Sequence, residues 1–196
     1  MGITSLKVHY ERSLARISRL QSLQSEVDLY HGDAIYRPTT EATKPKHPLA
    51  PSSSLPPYDA ILALDCAYHF NSRFVFLQQS LQRLVPQGRI ALADICFASS
   101  FFQSTFRRAL ANLIMPAENV VSSDQYLQQM HELGYQDVQL EDITENVFPG
   151  FIKFLKSRGW GWWVLGNLIG WFTRQGARFV IVTASKRHLV TEVLTG

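Results

Sequence analysis

Within five positions the sequence places an acid, a thiol, a phenol and an imidazole: Asp65, Cys66, Tyr68 and His69. A second acid and thiol, Asp94 and Cys96, follow a later apolar run, and a third acid, Asp33, follows His31-Gly32. An imidazole near neutral pH can take a proton, and a carboxylate can orient that imidazole or accept hydrogen bonds from a ligand. Cys66 and Cys96 read as buried spacers rather than nucleophiles. The six histidines are scattered and show no Cys/His spacing of the kind that holds zinc, so no metal is expected.

These residues need a frame, and the stretch 58–94 supplies one. Residues 59–64, apolar throughout after Asp59 and closed by Asp65, suit a strand covered on both faces. Asn71 or Ser72 can cap the helix that follows, and Phe74, Leu77, Leu81 and Leu84 recur at helical spacing along it. Pro86-Gln87-Gly88 ends that helix, and a second buried run over 89–93 closes at Asp94. Parallel strands require such a crossover, so both strands end on one edge of the sheet. Asp65, Cys66, Tyr68, His69, Asp94 and Cys96 are therefore expected on the edge where open α/β sheets bind ligands.

The rest of the chain is read around that unit. At 196 residues a single domain is expected. Thr4 or Ser5 can cap a helix over 6–23 with Tyr10, Leu14, Ile17 and Leu20 inward; 27–30 is a short strand. Residues 37–57 hold six prolines and a serine run, and read as a surface loop without a fold of its own, an insertion or a lid. Further on come helices led by Phe102, Phe106, Leu110 and Leu113, and over 125–133 before Gly134. A strand over 137–140, a helix after Phe148-Pro149-Gly150 and a last strand over 177–184 complete the chain. The stretch 160–172 is the most apolar and belongs to the segment holding all four tryptophans. It reads first as ordinary core or a lid over an apolar substrate, and alternatively as a peripheral membrane contact or a partner-binding patch.

Charge excludes little but favours little. Net charge is +3, and Arg12, Arg16 and Arg19 on one helix face read as a solvated face rather than a nucleic-acid patch. Two cysteines do not make a secreted disulfide scaffold, and the first 25 residues lack the apolar core of a signal peptide. A cytoplasmic protein is expected, with membrane association through 160–172 as the alternative.

In this order the segments resemble a class I S-adenosylmethionine-dependent methyltransferase of the sterol, tocopherol and natural-product small-molecule type. GITSLKVHYERS resembles the segment after the second strand of that family. VDLYHGDAIYRP resembles its third-strand motif ending Gly-Asp-Ala, and AILALDCAYHF its fourth. LQRLVPQGRIALADI resembles its turn and fifth strand, with Gln87 where Gly is usual. SSDQYLQQMHELGYQDVQLEDIT and ARFVIVTASK resemble its sixth and seventh strands with the preceding helix. The resemblance implies an α/β, Rossmann-like sheet, mostly parallel with an antiparallel last strand and flanked by helices. It implies S-adenosylmethionine as cofactor, with Asp33 accepting from the adenine amino group beside Ala34. Ile3 and Thr4 would pack near the adenosine, and Leu64 and Asp65 under the methionine end.

Methyl transfer from a sulfonium is an in-line displacement that chiefly needs positioning, plus a base when the acceptor is a hydroxyl. Tyr68, His69 and Asp94 are the catalytic candidates that the resemblance implies. His69 takes the substrate proton and Asp94 orients it or binds the acceptor; the alternatives are, for His69, a cap at Asn71-Ser72 or a contact with the cofactor without chemistry and, for Asp94, a cap of the helix after its strand. The expected substrate is a small apolar molecule. The family's glycine-rich turn after its first strand has no counterpart in these 196 residues. The expectation is therefore one N-terminally truncated methyltransferase-like domain, 1–196, with the 37–57 insertion. A catalytically inactive binding or scaffold module is the competing reading.

Overall fold

The computed structural model describes residues 1–20, 27–38 and 47–187. Six strands and six α-helices follow one another: β1 (Gly2–Thr4), α1 (Lys7–Arg19), β2 (Leu29–His31), β3 (Tyr58–Leu64), α2 (Arg73–Arg83) and β4 (Leu84–Phe97), then α3 (Thr105–Ala111), α4 (Ser123–Leu133), β5 (Tyr135–Asp142), α5 (Thr144–Lys156), α6 (Trp160–Arg174) and β6 (Ala177–Lys186). Short 3-10 turns at Ala67–His69, Ser99–Gln103 and Ala117–Asn119 join some of them.

The strands form two sheets. β1 and β2 make a parallel pair of their own. The larger sheet runs β3-β4-β6-β5, with β3 and β4 parallel and β6 antiparallel to both neighbours. β3, β4 and β5 thus share one direction and the last strand opposes them. This is the mostly parallel, helix-flanked α/β sheet with an antiparallel last strand that the sequence implied.

The β3–α2–β4 crossover forms for the expected reasons. The hydroxyl of Ser72 accepts from the amide of Val75 and caps α2. Gln87 takes the turn residue's role with φ 65°, and Gly88 follows because a Cβ there would lie 2.8 Å from the carbonyl of Val85. The face of α2 differs from expectation. Phe76 and Leu77 are buried with Arg73, Ser80 and Arg83, whereas Phe74 points outward.

β4 runs four residues further than its apolar run suggested. β6 pairs with it antiparallel as far as Phe97↔Ala177, so Asp94 and Cys96 lie inside the strand and not past its end. Alternation then puts Ile90, Leu92, Asp94 and Cys96 on one buried face. The main core joins these to Leu77 of α2, Tyr126 and Met130 of α4, and Val180 and Val182 of β6. Each fully buried aliphatic side chain there contributes about 1.5–3 kcal/mol relative to exposure. A smaller cluster gathers Phe97, Phe101, Ala111 and Met115.

Three further expectations are corrected. α1 buries no residue, and Leu14 and Leu20 of its supposed inner face are exposed. α5 begins at Thr144, with Pro149 inside it rather than ahead of it. Residues 47–50 of the proline-rich stretch are buried rather than a bare surface loop, because the imidazole of His47 ties them down. Residues 39–46 of that stretch lie outside the described residues.

Candidate functional site

A cavity of about 1000 Å³ lies between the β1–β2 pair and β3. Its walls come from the first six residues, from His31–Ala34, from Pro48 and Leu49, from 60–66 and from 69–71. The C-terminal ends of β1, β2 and β3 all border it. All six cofactor candidates, Ile3, Thr4, Asp33, Ala34, Leu64 and Asp65, line this one space, and so does His69. Tyr68 and Asp94 do not.

Asp33 is placed by the turn after β2. Its Oδ1 accepts from the amide of Ile35 at 3.1 Å, which leaves Oδ2 of this exposed carboxylate able to accept from a ligand. The amide of Gly32 donates to the carbonyl of Thr4 at 3.0 Å and joins the turn to the end of β1. His47 holds the turn from the other side. Its Nδ1 accepts from the amide of Leu49 at 3.0 Å, so Nε2 carries the proton and donates to the carbonyl of Asp33 at 2.9 Å. Burial lowers the pKa of His47, against the raising pull of Asp33, which keeps the ring neutral. Sequence reasoning passed over His47, because a lone histidine in a proline-rich run carries no motif.

At the end of β3, Asp65 takes φ 54°, and its amide donates to the carbonyl of Ala93 at 2.8 Å. Aspartate tolerates this left-handed conformation better than most residues. Its Oδ1 accepts from the hydroxyl of Tyr68 at 3.0 Å. Burial, and then the charge of Asp65, push the Tyr68 phenol well above its ordinary range. Tyr68 therefore keeps its proton and donates a hydrogen bond to the Asp65 carboxylate, which makes it a poor base. His69 is exposed on the cavity, with its ring centroid 4.1 Å from that of Tyr68. The turn carrying both is fixed by Asn119, which is 1% exposed. Its Nδ2 donates to the carbonyls of Tyr68 and Phe70 at 3.0 and 2.6 Å, and its Oδ1 accepts from the amide of Arg73.

Asp94 is 0% exposed and stands in an ion pair, with Arg73 Nη1 at 3.0 Å from its Oδ2. The same oxygen accepts from the Tyr126 hydroxyl at 2.8 Å, and the Arg73 guanidinium lies 4.0 Å over the Tyr126 ring. Arg73 also donates to the carbonyls of Ile95 and Asn119. A carboxylate so enclosed cannot reach a substrate; the strand that carries it runs on past the sheet edge where it was expected. Arg73, Asn119 and Tyr126 were not legible as partners, since they come from three separate elements. Burial pushes the thiols of Cys66 and Cys96 up to about 11, so neither is a thiolate near neutral pH. Among the described residues no group of histidines, cysteines and acids could hold a metal ion.

No family model matches the sequence. An O-methyltransferase, resE, from Aspergillus sclerotiorum is 24% identical over 140 residues, covering 68% of this chain and 52% of that protein. The erythromycin 3''-O-methyltransferase of Saccharopolyspora erythraea is 24% identical over 105 residues, 50% of this chain and 34% of its own. The chain thus spans about half and a third of the length of these two curated relatives. Among solved structures, the [4+2]-cyclase SpnF matches 95% of this chain and 66% of its own at 16% identity, with a TM-score of 0.65. The geranyl diphosphate C-methyltransferase of Streptomyces coelicolor A3(2), solved with Mg2+, geranyl diphosphate and S-adenosyl-L-homocysteine, matches 94% and 64% at 15% identity, TM-score 0.68. A geranyl diphosphate methyltransferase in complex with SAM gives the same TM-score, 0.68, at 15% identity over 94% of this chain and 67% of that one. With its β3-β4-β6-β5 sheet and these neighbours in structure, the chain has the Rossmann-like fold of the class I methyltransferases.

Proposed function

We propose that this chain serves S-adenosylmethionine-dependent methyl transfer to a small apolar molecule, with the cofactor in the cavity between β1–β2 and β3. The observation that carries the reading is the convergence on that cavity of Asp33, from the turn after β2, with Asp65 and His69, from the connection after β3. Asp33 accepts from the adenine amino group beside Ala34, and Ile3 and Thr4 flank the adenosine. Leu64 and Asp65 face the methionine end. His69 takes the proton of a hydroxyl acceptor, while Tyr68, Asn119 and the Arg73–Asp94 pair hold it in place. The relatives named as O-methyltransferases support a hydroxyl acceptor.

The cavity also borders an unpaired edge. Leu62 and Leu64 of β3 are each 68% exposed, and the sequence has no glycine-rich turn. These two facts support a reading in which a further strand and such a turn complete the cofactor site. They equally favour the second reading, a binding or scaffold module without turnover.

A chimera separates the two. Residues 1–196 alone are expected to bind S-adenosylmethionine more weakly than micromolar in calorimetry. Fusing a glycine-rich strand–turn–helix from a methyltransferase of known structure ahead of Met1 should restore binding. In that chimera His69→Ala should lower turnover by about 10²–10⁴-fold. Asp33→Ala should weaken cofactor affinity by about 1–3 kcal/mol. Unaltered turnover in the His69 variant would remove it as the base, and a chimera that binds nothing would leave the scaffold reading.

A further inference from the structure

We propose that the α5–α6 hairpin docks this protein onto an anionic lipid surface, lying in the interface rather than crossing it. The two helices pack through small residues. Gly166 and Gly170 are buried against α5, where a Cβ on Gly166 would lie 3.3 Å from the carbonyl of Ile152. That close packing uses the inner side of each helix and leaves the outer side apolar and uncovered. Trp160 is 83% exposed, Trp162 and Trp163 are about half exposed, and Phe151 and Phe154 of α5 join them. The core reading of 160–172 is thereby corrected. A lid over the cavity is unsupported too, since none of the cavity's lining residues comes from α5 or α6.

Charge decides what covers this face. Residues 146–186 contain no aspartate or glutamate, while Lys153, Lys156, Arg158 and Arg174 sit in or beside the hairpin. Lys153, Lys156 and Arg158 are exposed beside the aromatic side chains, and the Arg158 guanidinium lies 4.5 Å over the Phe154 ring. A second copy of this chain on the same face would set those cations against their own kind, since the hairpin's one acid, Glu145, stands in the first turn of α5, at the other end of that helix from Lys153 and Lys156. An anionic headgroup layer meets the cations, and the acyl boundary takes the aromatic side chains, where tryptophan is favoured. The 15 residues of α6 span roughly 22 Å, short of the roughly 30 Å hydrocarbon core. No helix among the described residues is long and apolar enough to cross a membrane.

Because all four tryptophans lie in α6, tryptophan fluorescence, excited beyond the tyrosine band, reports on this helix. The full chain should co-sediment with phosphatidylcholine vesicles containing phosphatidylserine at least about tenfold better than with phosphatidylcholine alone. Binding should shift its emission to shorter wavelength and be reversed by molar salt. Trp160→Ala with Trp163→Ala should reduce binding about tenfold or more, and so should the charge reversals Lys153→Glu with Lys156→Glu. Phe106→Ala, an exposed aromatic on α3, should leave binding unchanged. Equal binding to both vesicle types, no binding to either, or an unmoved emission would overturn the proposal, even if a tryptophan variant failed to fold. A concentration-dependent dimer abolished by the tryptophan replacements would assign the face to a second copy and overturn it as well.

Discussion

The two sides of the cavity are built to different standards. On one side β3, β4, β6 and β5 close over a core in which Asp94, Arg73 and Tyr126 are all 0–1% exposed and mutually bonded. On the other, β1 and β2 are three residues each, and α1 buries nothing. The second side is held to the first by a few apolar side chains, Ile35 and Leu49, that reach the main core, and by individual polar clips. His47 bridges Asp33 and Leu49; Gln79 exchanges two hydrogen bonds with the backbone of Tyr36 at 2.8 and 2.9 Å. The base candidate, His69, therefore sits on the rigid wall and the adenine-binding candidate, Asp33, on the loosely held one. Such a division predicts that turnover and cofactor affinity respond to different perturbations.

The largest effect is expected in the packed wall. Asp94→Ala leaves the Arg73 guanidinium buried without its carboxylate, and loss of one partner of a buried pair costs about 3–5 kcal/mol. Urea denaturation followed by far-UV circular dichroism measures it. A loss below about 1 kcal/mol would mean that water reaches Arg73 and that the two walls are less different than their burial indicates.

Next comes the clip. His47→Ala removes two hydrogen bonds around buried backbone and should cost about 1–3 kcal/mol. The loss should be local. Amide exchange at Gly32 and Ile35 should accelerate while the β4 amides keep their protection. Equal acceleration everywhere would show that the loosely held wall is an integral part of the core.

What the sequence showed, and what it did not, follows the same division. The runs 59–64 and 89–93 were legible as strands because each is apolar after its first residue, yet β3 is not covered on both faces as expected, since Leu62 and Leu64 are exposed; Gly134 was legible because a helix ending in φ 96° needs glycine. The continuation of β4 to Phe97 was not legible, because Asp94 interrupts the apolar run and only its pairing with Arg73, 21 residues away, permits its burial. The six cofactor candidates came from short motifs at strand ends, which survive as local patterns. His47, Asn119 and Tyr126 act through long-range contacts that leave no spacing to read. Phe106 and Leu113 have helical spacing with Leu110, yet both are exposed, since periodicity names a face without saying that anything covers it.

A gain, smaller again, is expected at Gln87. The turn between α2 and the paired part of β4 holds it at φ 65°. A left-handed residue with a Cβ costs about 1–2 kcal/mol, and glycine gives back part of that through its larger unfolded-state freedom. Gln87→Gly should therefore stabilise by about 0.5–1 kcal/mol, read as a higher urea midpoint with unchanged slope. Destabilisation would mean that the side chain makes a contact worth more than the strain.

The smallest effect is expected on α1, and it tests the comparison most directly. Leu14 was assigned to an inner face by its spacing with Tyr10 and Ile17, yet it is 43% exposed, and none of α1 is buried. In a packed core Leu→Ala costs about 2–5 kcal/mol, because the removed methyl groups leave a cavity. On an exposed helix the same change is expected within about 0.5 kcal/mol of zero, since alanine's better helix propensity offsets the lost apolar burial. Leu14→Ala should thus be silent in urea denaturation, while Leu77→Ala, at a fully buried position of α2, should cost the core value. A Leu14→Ala loss above about 1 kcal/mol would show that α1 is covered in solution. Its dependence on protein concentration would then tell a second copy of the chain, for which the loss varies with dilution, from a segment of the same chain, for which it does not.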